Sequence, residues 1–348
     1  MRTIPFLLVS LVVAALVFAG ALALGNDYVF FAGYVVLQYV VLSTAWNILG
    51  GYCGYVNFGT GAFFALGAYS TVAIYQLIEA NEFPHVVPIP VLMLIGGVVS
   101  GVVGLGMGYL TLRLRGAFFS IATLALAVVL ETLVVNWDFV GGSRGAYILR
   151  PETVPVIGSY IRYLALTMLL LAVGALVIAR LIERSRLGYG FATIRDDELA
   201  AEAAGVPTLR LKLIATTISG ALMGMAGAPF PYYIGYLQPD STFALDYAVN
   251  SIAMPLIGGT STWIGPLIGS VLLGSLQQLI TVTISSAVNL LLVGVLLVGF
   301  VIVAPNGIIG LVHKYLQHKG DDFVGRRHVG LQAPATVSAE GSAPESPS

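Results

Sequence analysis

Apolar residues run along this chain in long, unbroken stretches, and the polar positions that interrupt them are few and clustered. Residues 28–78, 86–112 and 247–312 carry no charged side chain. One crossing of a bilayer takes roughly 20 apolar residues in a helix, so the first and last of these runs each hold more than one crossing. The pattern predicts ten spans, at 3–25, 28–48, 61–78, 88–112, 116–136, 163–182, 213–231, 247–258, 265–285 and 289–311. The eighth is too short to cross as a regular helix and reads as broken or joined to its neighbour. The fold class is all-α: a polytopic helical membrane protein of about ten transmembrane helices.

Composition places the chain in the same class. It is 57% hydrophobic and 9% charged, whereas a soluble domain is about 25% charged. Arg2, the apolar run and "ALA" at 21–23 resemble a signal peptide, but the run is longer than a usual signal core, so it reads as the first span. Lys and Arg favour the cytoplasmic side of a membrane. With the N-terminus inside, Arg2, Arg113, Arg115, Arg180, Arg184, Arg186, Arg195, Arg210, Lys212, Lys314, Lys319, Arg326 and Arg327 fall inside, and only Arg144, Arg150 and Arg162 outside. The expected location is therefore the cell (inner or plasma) membrane, multi-pass, with both termini cytoplasmic. Residues 1–319 form the transmembrane domain, with 183–212 its largest internal cytoplasmic loop. Residues 320–348 are rich in Gly, Pro, Ser and Ala without apolar periodicity, and read as a disordered cytoplasmic tail.

Several chemistries drop out. Cys53 is the only cysteine, and His85, His313, His318 and His328 include no pair at zinc-ligand spacing on an apolar helix, so no metal site is expected. Net charge is −1, which gives no reason to expect a nucleic-acid partner. No Ser/His/Asp, metal or paired-carboxylate cluster falls within the spans, so no catalytic residues are assigned and the chain does not read as an enzyme.

Charge gathers at one internal place. "RDDELAAEAAGVP" (195–207) puts five charged residues between Arg195 and Glu202. Asp196, Asp197 and Glu198 suit a helix N-terminus, where the macrodipole favours anions. Gly205 suits the position just past the end, and Pro207 blocks continuation. Such a helix of about nine residues, roughly 13 Å long, is marginal alone in water. It either lies against its own membrane domain or docks into a partner.

"RDDELAAEAAGV" followed by Lys212 resembles the cytoplasmic coupling loop of permease subunits in bacterial branched-chain amino acid ABC importers. Three further segments agree, in the family's order: "NILGGYCGYVNFGTGAFFALGAY" (47–69), "LRLRGAFFSIATLALA" (112–127) and "GGSRG" (141–145). The resemblance covers about residues 28–313, and the second of these segments points to the M-type permease. Thr60 and Val140 depart from the residues the family often carries there, histidine and threonine. The resemblance implies a permease domain over 1–319 whose loop 183–212 couples to ATPases through Arg195, Asp196, Asp197, Glu198, Glu202 and Gly205. It implies as partners two ATP-binding cassette ATPase subunits, a second related permease, a substrate-binding receptor protein and an amino-acid substrate. None of the three lysines lies in a G-x-x-x-x-G-K-[ST] loop, so no cofactor is expected on this chain and ATP belongs to the partner subunits.

The segment "GGYCGYVNFGTG" (50–61) packs five glycines into twelve residues. It reads either as close helix packing through small residues or as an unwound segment facing a substrate path. On the second reading Asn47, Asn57, Phe58 and Gly59 are candidate pathway residues. Glu131 is the one clear ionisable residue within a span, about 22 Å from the cytoplasmic start of its helix. It reads as a structural carboxylate or as a pathway group near a substrate ammonium. Arg144 and Arg150, in the external loop, are candidates for receptor docking. Two other functions stay open: the same importer architecture carrying urea or short amides, and a proton-coupled secondary transporter using Glu131.

Overall fold

A computed structural model describes residues 3–80, 87–111, 114–149, 153–154, 158–260, 262–283 and 307–311, with residues 291, 294, 295, 298 and 299. Among them, eight helices are long and apolar enough to cross a membrane. In chain order the helices are α1 (Thr3–Ala23), α2 (Asp27–Leu49), α3 (Thr60–Ala80), α4 (Ile89–Thr111), α5 (Ala117–Val135) and α6 (Tyr160–Glu183). An elbow of α7 (Arg186–Asp196) and α8 (Glu198–Ala203) leads to α9 (Thr208–Gly227), which runs on into α10 (Phe230–Ile234). The short α11 (Pro239–Thr242), then α12 (Leu245–Gly258) and α13 (Ile264–Thr283), follow.

The eighth stretch is indeed no full crossing. Helix α12 has 14 residues, about 21 Å at 1.5 Å per residue, against a hydrocarbon core of about 30 Å. It ends at Gly259, whose φ of 122° only glycine adopts easily, and the chain doubles back into α13. Gly258, Gly265 and Gly269 let the two backbones touch there, with no room for a Cβ at any of the three. The tenth expected span, 289–311, lies mostly outside the described residues. So do the tail 320–348, the four histidines, Arg2, Arg113, Arg150, Glu152, Lys314, Lys319, Arg326 and Arg327.

Helix α2 is the axis of the bundle. Every residue from Val40 to Leu49 is buried, as expected of a helix that is apolar all round. One of its polar exceptions ties two helices together: the Ser43 and Ser270 hydroxyls lie 2.6 Å apart, joining α2 to α13. Beside it, α3, α4 and α9 cross closely through small residues. Gly96, Ser100, Gly104 and Gly108 make a four-residue stripe along α4; Gly220 and Gly224 answer it on α9, while Gly227 packs on the Phe64 carbonyl of α3. Without a hydrophobic force between helices in lipid, such close backbone approach is what holds them together. Helix α5 is different, with only Phe119, Thr123, Ala127 and Val134 buried, so most of its surface faces outward.

The two ends of the bundle are separately tied. At the end carrying α7 and α8, the buried Arg180 guanidinium stacks 3.6 Å from the Phe6 ring and holds the otherwise exposed α1 to α6. At the opposite end, Arg162 pairs with Asp27 at 2.9 Å. There, two-residue strands β1 (Ala146–Tyr147) and β4 (Tyr236–Leu237) pair antiparallel, as do β2 (Thr153–Val154) and β3 (Gly158–Ser159).

Candidate functional site

The charged stretch does form helix, but not as one piece. Arg195 and Asp196 close α7, and the chain breaks at Asp197, which is extended (φ −160°, ψ 108°). The sequence places Arg195 through Glu198 together at one helix start; the structure corrects this. The reason is side-chain competition: the Asp197 carboxylate accepts from the backbone N–H of Leu199 at 2.9 Å and of Ala200 at 3.0 Å, capping α8 instead of extending α7. Arg195 then sits in the last turn of α7, where a cation suits the negative end of the dipole. Gly205 has a φ of 82°, and the bonds Val206 N–H to Ala201 O (3.0 Å) and Gly205 N–H to Glu202 O (2.9 Å) close α8 in a Schellman motif.

Two candidate coupling carboxylates turn toward their own membrane domain. Lys212, 3% exposed, donates to Glu198 Oε1 at 2.6 Å. The Tyr55 hydroxyl donates to Glu198 Oε2, and Arg115 Nε lies 3.8 Å from Oε1. Burial alone would raise the Glu198 pKa. The hydrogen bonds from Lys212 and Tyr55, with the charges of Lys212 and Arg115, outweigh it, so the carboxyl titrates below its ordinary 4.5. Glu202 accepts from Arg115 at 2.9 Å and from the Thr208 hydroxyl at 2.9 Å, so its carboxylate is engaged within the chain, contrary to a purely partner-facing charge. The outward surface of the elbow is Tyr189 (72% exposed) and Leu199 (63%), with Asp196 and Arg195 beside them.

The glycine-rich segment is unwound from Gly50 to Gly59, and most of it is buried. It climbs into the bundle: the Phe58 N–H donates to Thr123 Oγ1 at 3.1 Å, about 10 Å along α5. Asn57 and Gly59 shape the segment. Trp46 Nε1 donates to the Asn57 carbonyl at 2.9 Å, and the Asn57 side chain accepts from the Gly59 N–H at 2.7 Å, starting α3. Asn47 is likewise buried at the end of α2, its amide 3.4 Å from the Thr262 carbonyl. Neither asparagine nor Gly59 is among the residues that line the cavity beside Phe58.

Phe58 and Glu131 meet. They line one cavity of about 180 Å³, with Leu124, Val128, Phe243 and Leu245 as apolar walls and Asp240 as a second carboxylate. Among the described residues, no Lys or Arg lines it. The first residue of the half-crossing α12, Leu245, opens onto it. Transporters commonly place substrates beside interrupted helices and unwound backbone.

Arg144 is exposed at the opposite end, and its carbonyl accepts from the Tyr236 hydroxyl at 2.5 Å. This bond and the stacked Tyr147 and Tyr236 rings (4.3 Å) fix the "GGSRG" turn to the β4 strand. Arg150 lies outside the described residues. Sequence reasoning missed Tyr55, Arg115 and Asp240 as site residues. One signal was available: Lys212 is the only lysine before residue 314, and a cation on the apolar helix that follows the charged stretch needs a carboxylate if it is buried.

Comparison with known proteins follows the same lines. The family described as "Branched-chain amino acid transport system / permease component" matches residues 28–301. The high-affinity branched-chain amino acid transport system permease protein LivM of Salmonella typhimurium is 28% identical over 315 residues, covering 83% of this chain and 72% of that protein. Its Escherichia coli counterpart is 28% identical over 307 residues, 81% and 70% of the two chains. A probable branched-chain amino acid transport permease protein LivH of Methanocaldococcus jannaschii is 24% identical over 277 residues, 75% and 85%. No solved structure matches.

Proposed function

Because the chain belongs to the family of branched-chain amino acid transport system permease components, we propose that it carries leucine, isoleucine or valine inward across the cytoplasmic membrane. It is a multi-pass subunit of an ATP-binding cassette importer and not itself an enzyme; hydrolysis belongs to separate subunits. In this reading the α7–α8 end is cytoplasmic and two ATPase subunits seat on it. A second, related permease completes the pathway. A substrate-binding receptor docks at the opposite end, around Arg144 and Arg150.

The observation that carries the reading is the elbow itself. Its outward side offers two large exposed apolar residues, Tyr189 and Leu199, on a rim that lies beyond the spans. Its inward side is bonded to the segment that reaches the Phe58–Glu131 cavity. In the cavity, Glu131 and Asp240 supply anionic acceptors for a substrate ammonium, and the apolar walls suit an aliphatic side chain. The test is uptake into proteoliposomes holding permeases, ATPases and receptor. Labelled leucine should accumulate only with ATP, and labelled urea should not. Glu131→Gln should raise the half-saturating leucine concentration about tenfold, the loss of roughly 1.4 kcal/mol of binding, while hydrolysis persists. Accumulation of urea in place of leucine would refute the substrate, and an unmoved half-saturation would remove Glu131 from the route.

A further inference from the structure

Tyr55 sits where two different parts of the molecule meet. Its hydroxyl donates to Glu198 on α8, and receives a hydrogen bond from Lys212 Nζ at 3.2 Å. The same ammonium lies 4.7 Å from the centre of the Tyr55 ring. Thus one cation clamps both the ring and the carboxylate, and the group is shielded from water on the lysine side. One weaker tie runs in parallel, Arg195 Nη1 of α7 to the Gly51 carbonyl at 3.4 Å, while the Tyr52 hydroxyl donates to Glu183 at the end of α6 at 3.4 Å.

From Tyr55 the connection inward is short and taut. Phe58 is three residue steps further on, at most about 3.6 Å each when extended. Ser120 holds the Val56 carbonyl at 2.9 Å, Trp46 holds that of Asn57, and Thr123 holds the Phe58 N–H. Ser120 and Thr123 belong to α5, whose next turns carry Leu124, Val128 and Glu131 into the cavity. A displacement of α8 therefore reaches both walls of the cavity through bonded atoms, without crossing a gap filled only by lipid or solvent.

We propose that Tyr55, Glu198 and Lys212 form the joint that transmits movement of the α7–α8 elbow to the unwound segment and so to the cavity. Tyr55 is its central positioning residue. The inference rests on the reading of the elbow as the ATPase-docking element. A buried ion pair is weak evidence for stability, because apolar replacements of similar volume are often as stable. What the pair supplies here is direction: three groups on three elements, each bonded to the other two.

The experiment uses the complete reconstituted complex. Tyr55→Phe removes one oxygen and keeps the packed ring. The variant should show wild-type yield, wild-type ATPase co-purification and receptor-stimulated hydrolysis. Leucine uptake per ATP hydrolysed should fall about tenfold, the scale of a lost hydrogen bond to a charged group. A purely structural bond would instead lower yield, hydrolysis and uptake in parallel, and that result overturns the proposal. So does an unchanged uptake per ATP in an intact complex. A second variant guards against misfolding: Lys212→Met with Glu198→Leu replaces the pair by apolar groups and should also hydrolyse without transporting. Failure of the docking reading shows up separately, as undiminished ATPase recovery when the outward Leu199 is made Leu199→Asp.

Discussion

Gly224→Val should abolish recovery of folded protein. Gly224 lies where α3, α4 and α9 cross. A Cβ built on it would run into the Ser100 hydroxyl and the Gly96 carbonyl, and Gly67 on α3 packs directly on the Gly224 carbonyl. The Gly96 carbonyl is a backbone atom of a long helix and cannot rotate away. Overpacking a tight core costs about 1–3 kcal/mol and sometimes more, and this site stands at the upper end because relieving the clash means moving the α4 backbone away from α9. Size-exclusion profiles of detergent-extracted protein provide the measurement. Gly106→Ala is the matched control: it is a glycine of α4 with nothing within 4 Å of its added methyl, and alanine favours helix by about 1 kcal/mol. The control should keep its monodisperse peak. A normal peak for Gly224→Val would show that the crossing is looser than described.

Lys212→Met alone should destabilise the protein strongly, and adding Glu198→Leu should restore most of the loss. Lys212 is nearly sealed from solvent and Glu198 side-chain exposure is only 12%. Removing one member of a buried pair typically costs about 3–5 kcal/mol because it strands the other charge, whereas apolar replacement of both is often neutral. Glu198 keeps Tyr55 and Arg115 as neighbours, which places the single variant toward the lower figure. The pH dependence has a definite sign. Since the folded-state pKa of Glu198 lies below the ordinary 4.5, its contribution is complete above that value and fades as pH falls below it toward the folded pKa. Thermal unfolding in detergent at neutral and acidic pH checks both statements. Equal stability of the single and double variants would contradict the first, and a stability gap between wild type and double variant that is unchanged by acid would contradict the second.

Much of the bundle is legible along the chain because a membrane asks one simple thing of a helix, an apolar length. Even the shortness of α12 shows in the sequence. The break at Asp197 does not, because aspartate suits both the first turn of a helix and the cap before it; which one forms depends on whether its carboxylate captures the N–H groups of Leu199 and Ala200. The roles of Asn57 and Gly59 were ambiguous for a similar reason. An asparagine two residues before a glycine fits a pathway or a local turn, and here it makes the turn. Glu131 was visible as a lone carboxylate, but its cavity was not, since Asp240 and Leu245 arrive from more than 100 residues away. Tyr55 was least legible. Its partner Glu198 lies 143 residues along the chain, and an aromatic residue in a glycine-rich stretch carries no mark of such a bond.

The central claim is that a partner ATPase grips the α7–α8 elbow and drives this chain. The most direct measurement is ATPase co-purification with tagged permease, paired with ATP-dependent leucine uptake, for Leu199→Asp and Gly205→Val. Leu199 is exposed and bonded through its backbone only, so its side chain is free to contact a partner. A Cβ at Gly205 meets nothing within 4 Å, so valine there acts only through its aversion to a positive φ, about 1–2 kcal/mol or more. Both variants should insert in the membrane at wild-type levels while ATPase recovery and uptake fall together. Wild-type recovery and wild-type uptake in both would contradict the account.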